Sequence, residues 1–214
     1  MADNLFGDIY QGILMQEEEN PEHLCTFLAF DTETTGLAGN QNTQLIEIAW
    51  VQGSFSSQNA ETWEYLIKPK GMLIPEKITD LTGITDEMLC TSGIPIRDAL
   101  ATFSDAVRSS DCVIAHNMSF DKTIITDECN RLGIQDPLNG ATLLCTMKAG
   151  VTYGKKSTNR PQKKTISLIH LHTSIFGVAP PRSHRALPDA ISCARCAWVL
   201  AKAGKFSENI LFCE

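Results

Sequence analysis

The chain has 214 residues, 43% of them hydrophobic and 20% charged, a balance that excludes disorder, collagen-like repeats and a disulfide miniprotein. Its length suits one compact core with modest tails. With 18 Lys and Arg against 25 Asp and Glu, the formal charge is -7, which disfavours a protein that simply coats nucleic acid, because phosphate neutralisation needs concentrated cations.

The 8 cysteines are too sparse for a disulfide framework. Residues 1 to 24 contain Asp3, Asp8, Glu17, Glu18, Glu19 and Glu22 but no Lys or Arg, so they do not read as a secretory signal. No apolar run reaches the roughly 18 residues of a membrane helix. These features predict a cytoplasmic chain with reduced thiols and no membrane partner.

The acidic segment 1 to 24 reads as a flexible tail or weakly helical arm. Within it, Asn4-Leu5-Phe6 forms a small apolar hook of a kind that docks into a partner's groove. The apolar, β-prone run Thr26 to Phe30 predicts a buried strand that ends in the polar loop Asp31-Thr-Glu-Thr-Thr-Gly36. Strands over Gln44 to Gln52 and Thr62 to Lys68 complete a β-meander. Pro75 suits the first position of a short helix ending near Thr82-Gly83. A second helix from about Asp98 places Leu100, Phe103, Ala106 and Val107 on one face. A buried strand, Cys112 to Ala115, precedes a helix from about Phe120 to Leu132, closed by Gly133.

A short strand near Leu143 leads into a polar stretch, residues 148 to 164, with 6 basic residues and no acid. Read alone, that run is a solvated loop; beside a nucleic-acid site it becomes a phosphate contact. Helices over Ile166 to Phe176 and Asp189 to about Gly204 close the chain, with Pro188 at the first helical position of the latter. Strands followed by strand-helix alternation predict an α/β fold with a mixed central sheet flanked by helices. The expected organisation is a tail over 1 to 24, a domain over 25 to 204 and a short tail over 205 to 214.

Asp31 and Glu33 lie two apart at the end of the first strand, so in extended geometry their side chains point the same way. Asp121 follows the strand Cys112 to Ala115, and Asp189 opens the last helix. Any one of these carboxylates alone reads as a cap or turn residue. Together they sit at junctions where open α/β sheets gather ligands.

The segments Asp31-Thr-Glu33-Thr-Thr-Gly36, His116-Asn117-Met-Ser-Phe-Asp121 and His184-Arg-Ala-Leu-Pro-Asp189 resemble the three exonuclease motifs of the DEDDh superfamily, in order. Ile74-Pro75-Glu76 and Gly83-Ile84-Thr85-Asp86-Glu87-Met88-Leu89 are similar to a motif of its DNA polymerase III epsilon-type proofreading branch. The resemblance covers about residues 25 to 203. It departs at Pro188, where the family often has another residue, but keeps the spacing between His184 and Asp189. It implies an RNase H-like fold and metal-dependent removal of nucleotides from a 3′ end.

Four carboxylates within about 4 Å would repel by roughly 4 kcal/mol per pair at an effective dielectric of about 20, so they need cations or protons. Hard oxygen ligands suit two Mg²⁺ or Mn²⁺ ions better than zinc. The resemblance implies that Asp31, Glu33 and Asp189 hold one ion, that Asp31 and Asp121 serve the second, and that His184 acts as general base. It also implies substrate contacts at Thr34, Thr35, Gly36, Leu37 and Asn117. Phe120 reads equally as a base-stacking or a core residue, and His116 as a brace for the loop rather than a ligand. Cys193-x-x-Cys196 reads as a pair of buried thiols, and His170-Leu-His172 does not share a helical face.

The expected function is a 3′ to 5′ exonuclease of proofreading or repair, acting on single-stranded or frayed DNA ends beside a replicative polymerase or sliding clamp. The alternatives are an RNA 3′ exonuclease on the same carboxylates, and a replication adaptor that uses the fold for binding through Leu5-Phe6. The intact acidic set argues against the adaptor.

Overall fold

The structure, a computed structural model, describes residues 26–68, 70–71, 73–151, 165–181 and 184–206. The expected tails, the hook at Leu5-Phe6 and most of the basic stretch lie outside them. Five strands form one mixed sheet in the order β3-β2-β1-β4-β5: β1 (Thr26–Thr34), β2 (Leu45–Ser54), β3 (Ala60–Leu66), β4 (Cys112–Ala115) and β5 (Leu143–Cys145). The meander β1-β2-β3 is antiparallel, and β4 and β5 join it in parallel.

The helices among the described residues are α1 (Glu76–Thr82), α2 (Asp86–Ser92), α3 (Ile96–Arg108), α4 (Met118–Leu132), α5 (Thr146–Ala149), α6 (Leu168–Phe176) and α7 (Ala186–Lys202). None is long and apolar enough to cross a membrane.

The alternation of β1 divides the core into two faces. Leu28 and Phe30 join Ile48, Trp50 and Val113 against Phe103 of α3 and Ile124, Ile125 and Cys129 of α4. Phe27 and Ala29 join Val51, Ile114 and Leu144 against Ala190, Cys193, Ala194, Ala197 and Trp198 of α7. The small side chains of α7 let it lie close to the sheet. Ile46, Ile74, Ile84 and Leu89 form a satellite cluster under α1 and α2, which gives the Ile74 to Leu89 segment a packing role.

Several boundaries differ from those the sequence predicts. The first strand does not stop at Phe30, because its pairing with β2 runs on to Thr34 opposite Leu45; Asp31 and Glu33 are therefore strand residues. Helix α2, unpredicted, is nucleated by the Thr85 hydroxyl accepting the Met88 N–H. Pro75 is the N-cap of α1 rather than its first residue. Helix α3 starts after Pro95, ahead of Asp98, and Ser167 caps α6. The last helix begins at Ala186, which makes Pro188 its third residue rather than its first. Proline is tolerated there because the first-turn N–H groups have no intrahelical acceptor.

Candidate metal centre

The same alternation that sorts the core sorts the acids. Asp31 and Glu33 share the parity of Phe27 and Ala29, on the face covered by α7. Asp189 stands in the first turn of that helix. Carboxylate oxygens of Asp31, Glu33 and Asp189 lie within 4.8 Å of one another, each residue partly buried. Thr32 has the opposite parity, toward α4, and its hydroxyl donates to Asp121 Oδ1 at 2.7 Å. Asp121, in the first turn of α4, is 2% exposed. It flanks the three-residue group from the other face, and its charge acts on both Asp31 and Glu33.

This crowding shows in the acidities. Burial, reinforced by the charges of Asp121, Asp189, Glu33 and Glu47, holds the Asp31 carboxyl well above the usual carboxylate range. Burial and then Glu47 push Glu33 up to about 8. Burial pushes Asp121 up to about 7, against the Thr32 hydrogen bond that favours its charged form. Asp189 is raised by burial and lowered by the His184 N–H. A cluster of hard oxygen donors so costly to ionise fits divalent cations of the Mg²⁺ or Mn²⁺ class.

Between Glu33 and Thr34 the register with β2 slips, a bulge that ends regular pairing beside the carboxylates. The loop beyond is self-braced: the Thr34 hydroxyl donates to the Gly36 carbonyl at 2.6 Å, and Thr35 Oγ1 accepts the Gln44 N–H at 2.9 Å. Leu37, at the rim, is 79% exposed. Asn117 adopts the left-handed region, φ 75°, before α4, and its Oδ1 accepts from the Ser119 hydroxyl at 3.1 Å. Phe120 is partly buried and packs against the α3 and α4 core.

His184 has a left-handed backbone, φ 64°. Its N–H donates to Asp189 Oδ2 at 2.8 Å, so the His184 backbone and the carboxylate five residues on are held in one turn. His116 is engaged elsewhere. Its ring nitrogens lie 2.9 Å from Thr146 Oγ1 and 2.9 Å from the Ile166 carbonyl, and burial lowers its pKa to about 4. The neutral ring therefore donates from Nε2 to the carbonyl and accepts from Thr146, bracing β4 against the chain that re-enters at residue 165. Cys193 and Cys196 are buried free thiols. Of the other pair, His172 is buried and His170 exposed.

Two residues at the site escape sequence reasoning. Glu47 on β2 is fully buried and faces Glu33 across the strand pair. Its oxygens accept Arg185 Nε at 2.9 and 3.1 Å, Arg185 Nη2 at 2.5 Å and the Ala186 N–H at 2.8 Å. Arg185 also reaches Glu64 Oε1 at 3.3 Å. The available signal was a lone charge inside the apolar run Leu45 to Val51, which requires a buried partner.

A family model described as an exonuclease, RNase_T, matches residues 28–196. The PolC-type DNA polymerase III of Staphylococcus haemolyticus is 35% identical over 171 residues, 79% of this chain and 11% of the relative. That of Listeria monocytogenes is 30% identical over 197 residues, 90% of this chain and 13% of the relative. The chain thus spans little more than a tenth of these relatives' length. Among solved structures, the nuclease domain of 3′hExo, a DEDDh family member bound to rAMP, superposes with a TM-score of 0.70 at 16% identity, covering 86% of this chain and 96% of that one. Escherichia coli exonuclease I in complex with a dT13 oligonucleotide gives a TM-score of 0.66 at 20% identity, covering 82% of this chain and 41% of that one. The mixed sheet with its flanking helices is thus the RNase H-like exonuclease fold, and the chain belongs to the RNase_T exonuclease family, within the DEDDh superfamily and similar to its epsilon-type branch.

Proposed function

We propose that the chain is a 3′ to 5′ exonuclease that releases nucleoside 5′-monophosphates from single-stranded or frayed DNA 3′ ends, in proofreading or repair beside a replicative polymerase or sliding clamp. The observation that carries this reading is the convergence of Asp31, Glu33 and Asp189 oxygens within 4.8 Å, with Asp121 on the flank. Similarity to PolC-type DNA polymerases favours DNA over RNA, and the converging carboxylates favour catalysis over the adaptor reading.

In this reading Asp31, Glu33 and Asp189 would hold one divalent cation, and Asp31 with Asp121 a second. Such a pair, when bound, supplies charge stabilisation along an in-line phosphodiester displacement and a more acidic attacking water. His184 would accept the proton of the attacking water on its imidazole. The N–H bond to Asp189 fixes where the base stands. Leu37 wedges against the terminal base, while Thr34, Thr35 and Gly36 border the terminal nucleotide. Asn117 and Phe120 border the same cleft.

Matched 5′-labelled DNA and RNA oligonucleotides, incubated with Mg²⁺ or Mn²⁺, test the proposal. The expected result is a ladder shortened from the 3′ end, stronger for DNA and absent with Asp31→Asn. No digestion with Mn²⁺, or undiminished digestion by Asp31→Asn, overturns it; preference for RNA selects the other substrate.

A further inference from the structure

A groove lies along the carboxylate edge of the sheet, lined by Lys68, Lys70, Pro95, Ile96, Arg97 and Leu132. In a chain of net charge -7, this lining carries cations and no carboxylate. The topology puts it near the metal centre. Strand β3 runs parallel to β1 with only β2 between them, so its carboxyl end, which leads to Lys68, lies on the same edge as Asp31 and Glu33. The lateral offset is roughly 10 Å from two strand spacings. That is about three stacked nucleotides at ~3.4 Å each.

The groove is built rather than incidental. The Lys68 N–H donates to the Ile94 carbonyl and the Ile94 N–H to the Leu66 carbonyl, both at 2.9 Å, joining the end of β3 to the root of α3. Gly93 permits this approach, since a Cβ there would sit 2.3 Å from the Leu89 carbonyl oxygen and 2.9 Å from the Lys68 nitrogen. Arg97, an exposed residue, donates from Nη2 to the Leu132 carbonyl at 3.0 Å, which fixes one end of its guanidinium. The Lys70 N–H reaches Gln44 Oε1 at 3.5 Å, and Gln44 is bonded to Thr35. The cations thus continue directly from the loop beside the carboxylates.

We propose that Lys68, Lys70 and Arg97 form a phosphate track that holds the backbone of the incoming nucleic-acid strand a few nucleotides upstream of its 3′ end. This rests on the exonuclease reading and adds to it a length requirement. A three-nucleotide substrate fills only the carboxylate site. A longer strand also reaches the groove, which supplies sequence-independent, salt-sensitive affinity.

The test compares wild type with the Lys68→Ala/Lys70→Ala/Arg97→Ala variant, all exposed positions, after circular dichroism has established folding. Anisotropy with labelled trinucleotide and 12-nucleotide DNA in EDTA reads binding without cleavage. The 12-nucleotide strand is expected to lose about tenfold of its advantage over the trinucleotide, and its log-log salt slope to flatten by about 2, at ~0.7 per phosphate contact. An unchanged length ratio and slope overturn the track. So does an unchanged 12-nucleotide affinity with lost binding of a poly-glutamate peptide, which assigns the groove to an acidic protein partner. Hydrolysis with Mn²⁺ separates the two proposals: wild type that cleaves neither length sinks the nuclease reading, whereas cleavage without dependence on the groove sinks only the track.

Discussion

Arg185 closes on the buried carboxylate of Glu47 with Nε and Nη2, at 2.5 to 3.1 Å, directly after His184 and within the turn that leads to Asp189. The same carboxylate accepts the N–H of Ala186, the first residue of α7. The pair therefore anchors the start of the helix that carries Asp189, and the Arg185 charge partly offsets the push that Glu47 gives Glu33 across the strands.

Arg185→Ala leaves Glu47 buried without its ion partner, and loss of one member of a buried pair costs about 3 to 5 kcal/mol. Urea unfolding checks this. Arg185→Lys recovers only part, because an ammonium cannot span both oxygens as a guanidinium does. In either variant, at temperatures where it is folded, kcat is expected to fall more than KM rises, since the His184 turn loosens while Leu37 and its loop are untouched. A loss confined to KM counts against a positioning role for Arg185.

The pH dependence has a definite sign. Glu33 titrates near 8 and Asp121 near 7 in the folded chain, against an ordinary carboxylate near 4 in the unfolded one. Between those values the folded state binds more protons, so stability without metal is greatest below about pH 4 from this source and declines as pH rises toward 8. Because cation binding displaces those protons, Mn²⁺ affinity rises over the same interval. Melting temperatures across pH, in EDTA and in Mn²⁺, should diverge upward. Parallel curves contradict the assignment.

His184→Gln removes the proposed proton acceptor while keeping a planar, polar side chain and the backbone N–H that bonds Asp189. Turnover is expected to drop by about 10² to 10⁴-fold, the usual worth of a positioned acid-base group. Mn²⁺ binding followed by calorimetry should stay within a few-fold of wild type. A large loss of metal affinity instead makes His184 a ligand or a structural support.

The alternation of β1 was readable in the sequence, and with it the sharing of one side by Asp31 and Glu33. What periodicity could not show was where the strand ended. Polar residues Asp31 to Thr34 look like a loop, and only the ladder with β2 makes them strand. For the same reason the hydroxyl of Thr32, which links the strand to Asp121, was invisible until α4 was placed. Glu47 is a charge in an apolar run, but its partner lies 138 residues away, beyond any local pattern. Cap chemistry was the least legible layer: Thr85 and Ser167 start helices by accepting N–H bonds, a role that short polar residues share with ordinary turns.

Thr32→Val tests how Asp121 is tuned. Valine keeps the β-branched shape at a buried strand position but removes the hydroxyl that donates to Asp121 Oδ1. That bond opposes the burial that pushes Asp121 up to about 7, so without it the carboxyl becomes harder to ionise and holds its proton to higher pH. The buried acceptor left short of a donor costs about 1 to 3 kcal/mol. The midpoint of the pH dependence of Mn²⁺ affinity should therefore move upward by up to about one unit, equivalent to ~1.4 kcal/mol. Above pH 9, where both carboxylates are ionised, the variant and wild type should bind the ion nearly alike. A midpoint that stays where it is removes the Thr32 hydroxyl as a group that sets the acidity of Asp121, and leaves burial and the backbone N–H groups of Asp121 and Thr32 as its controls.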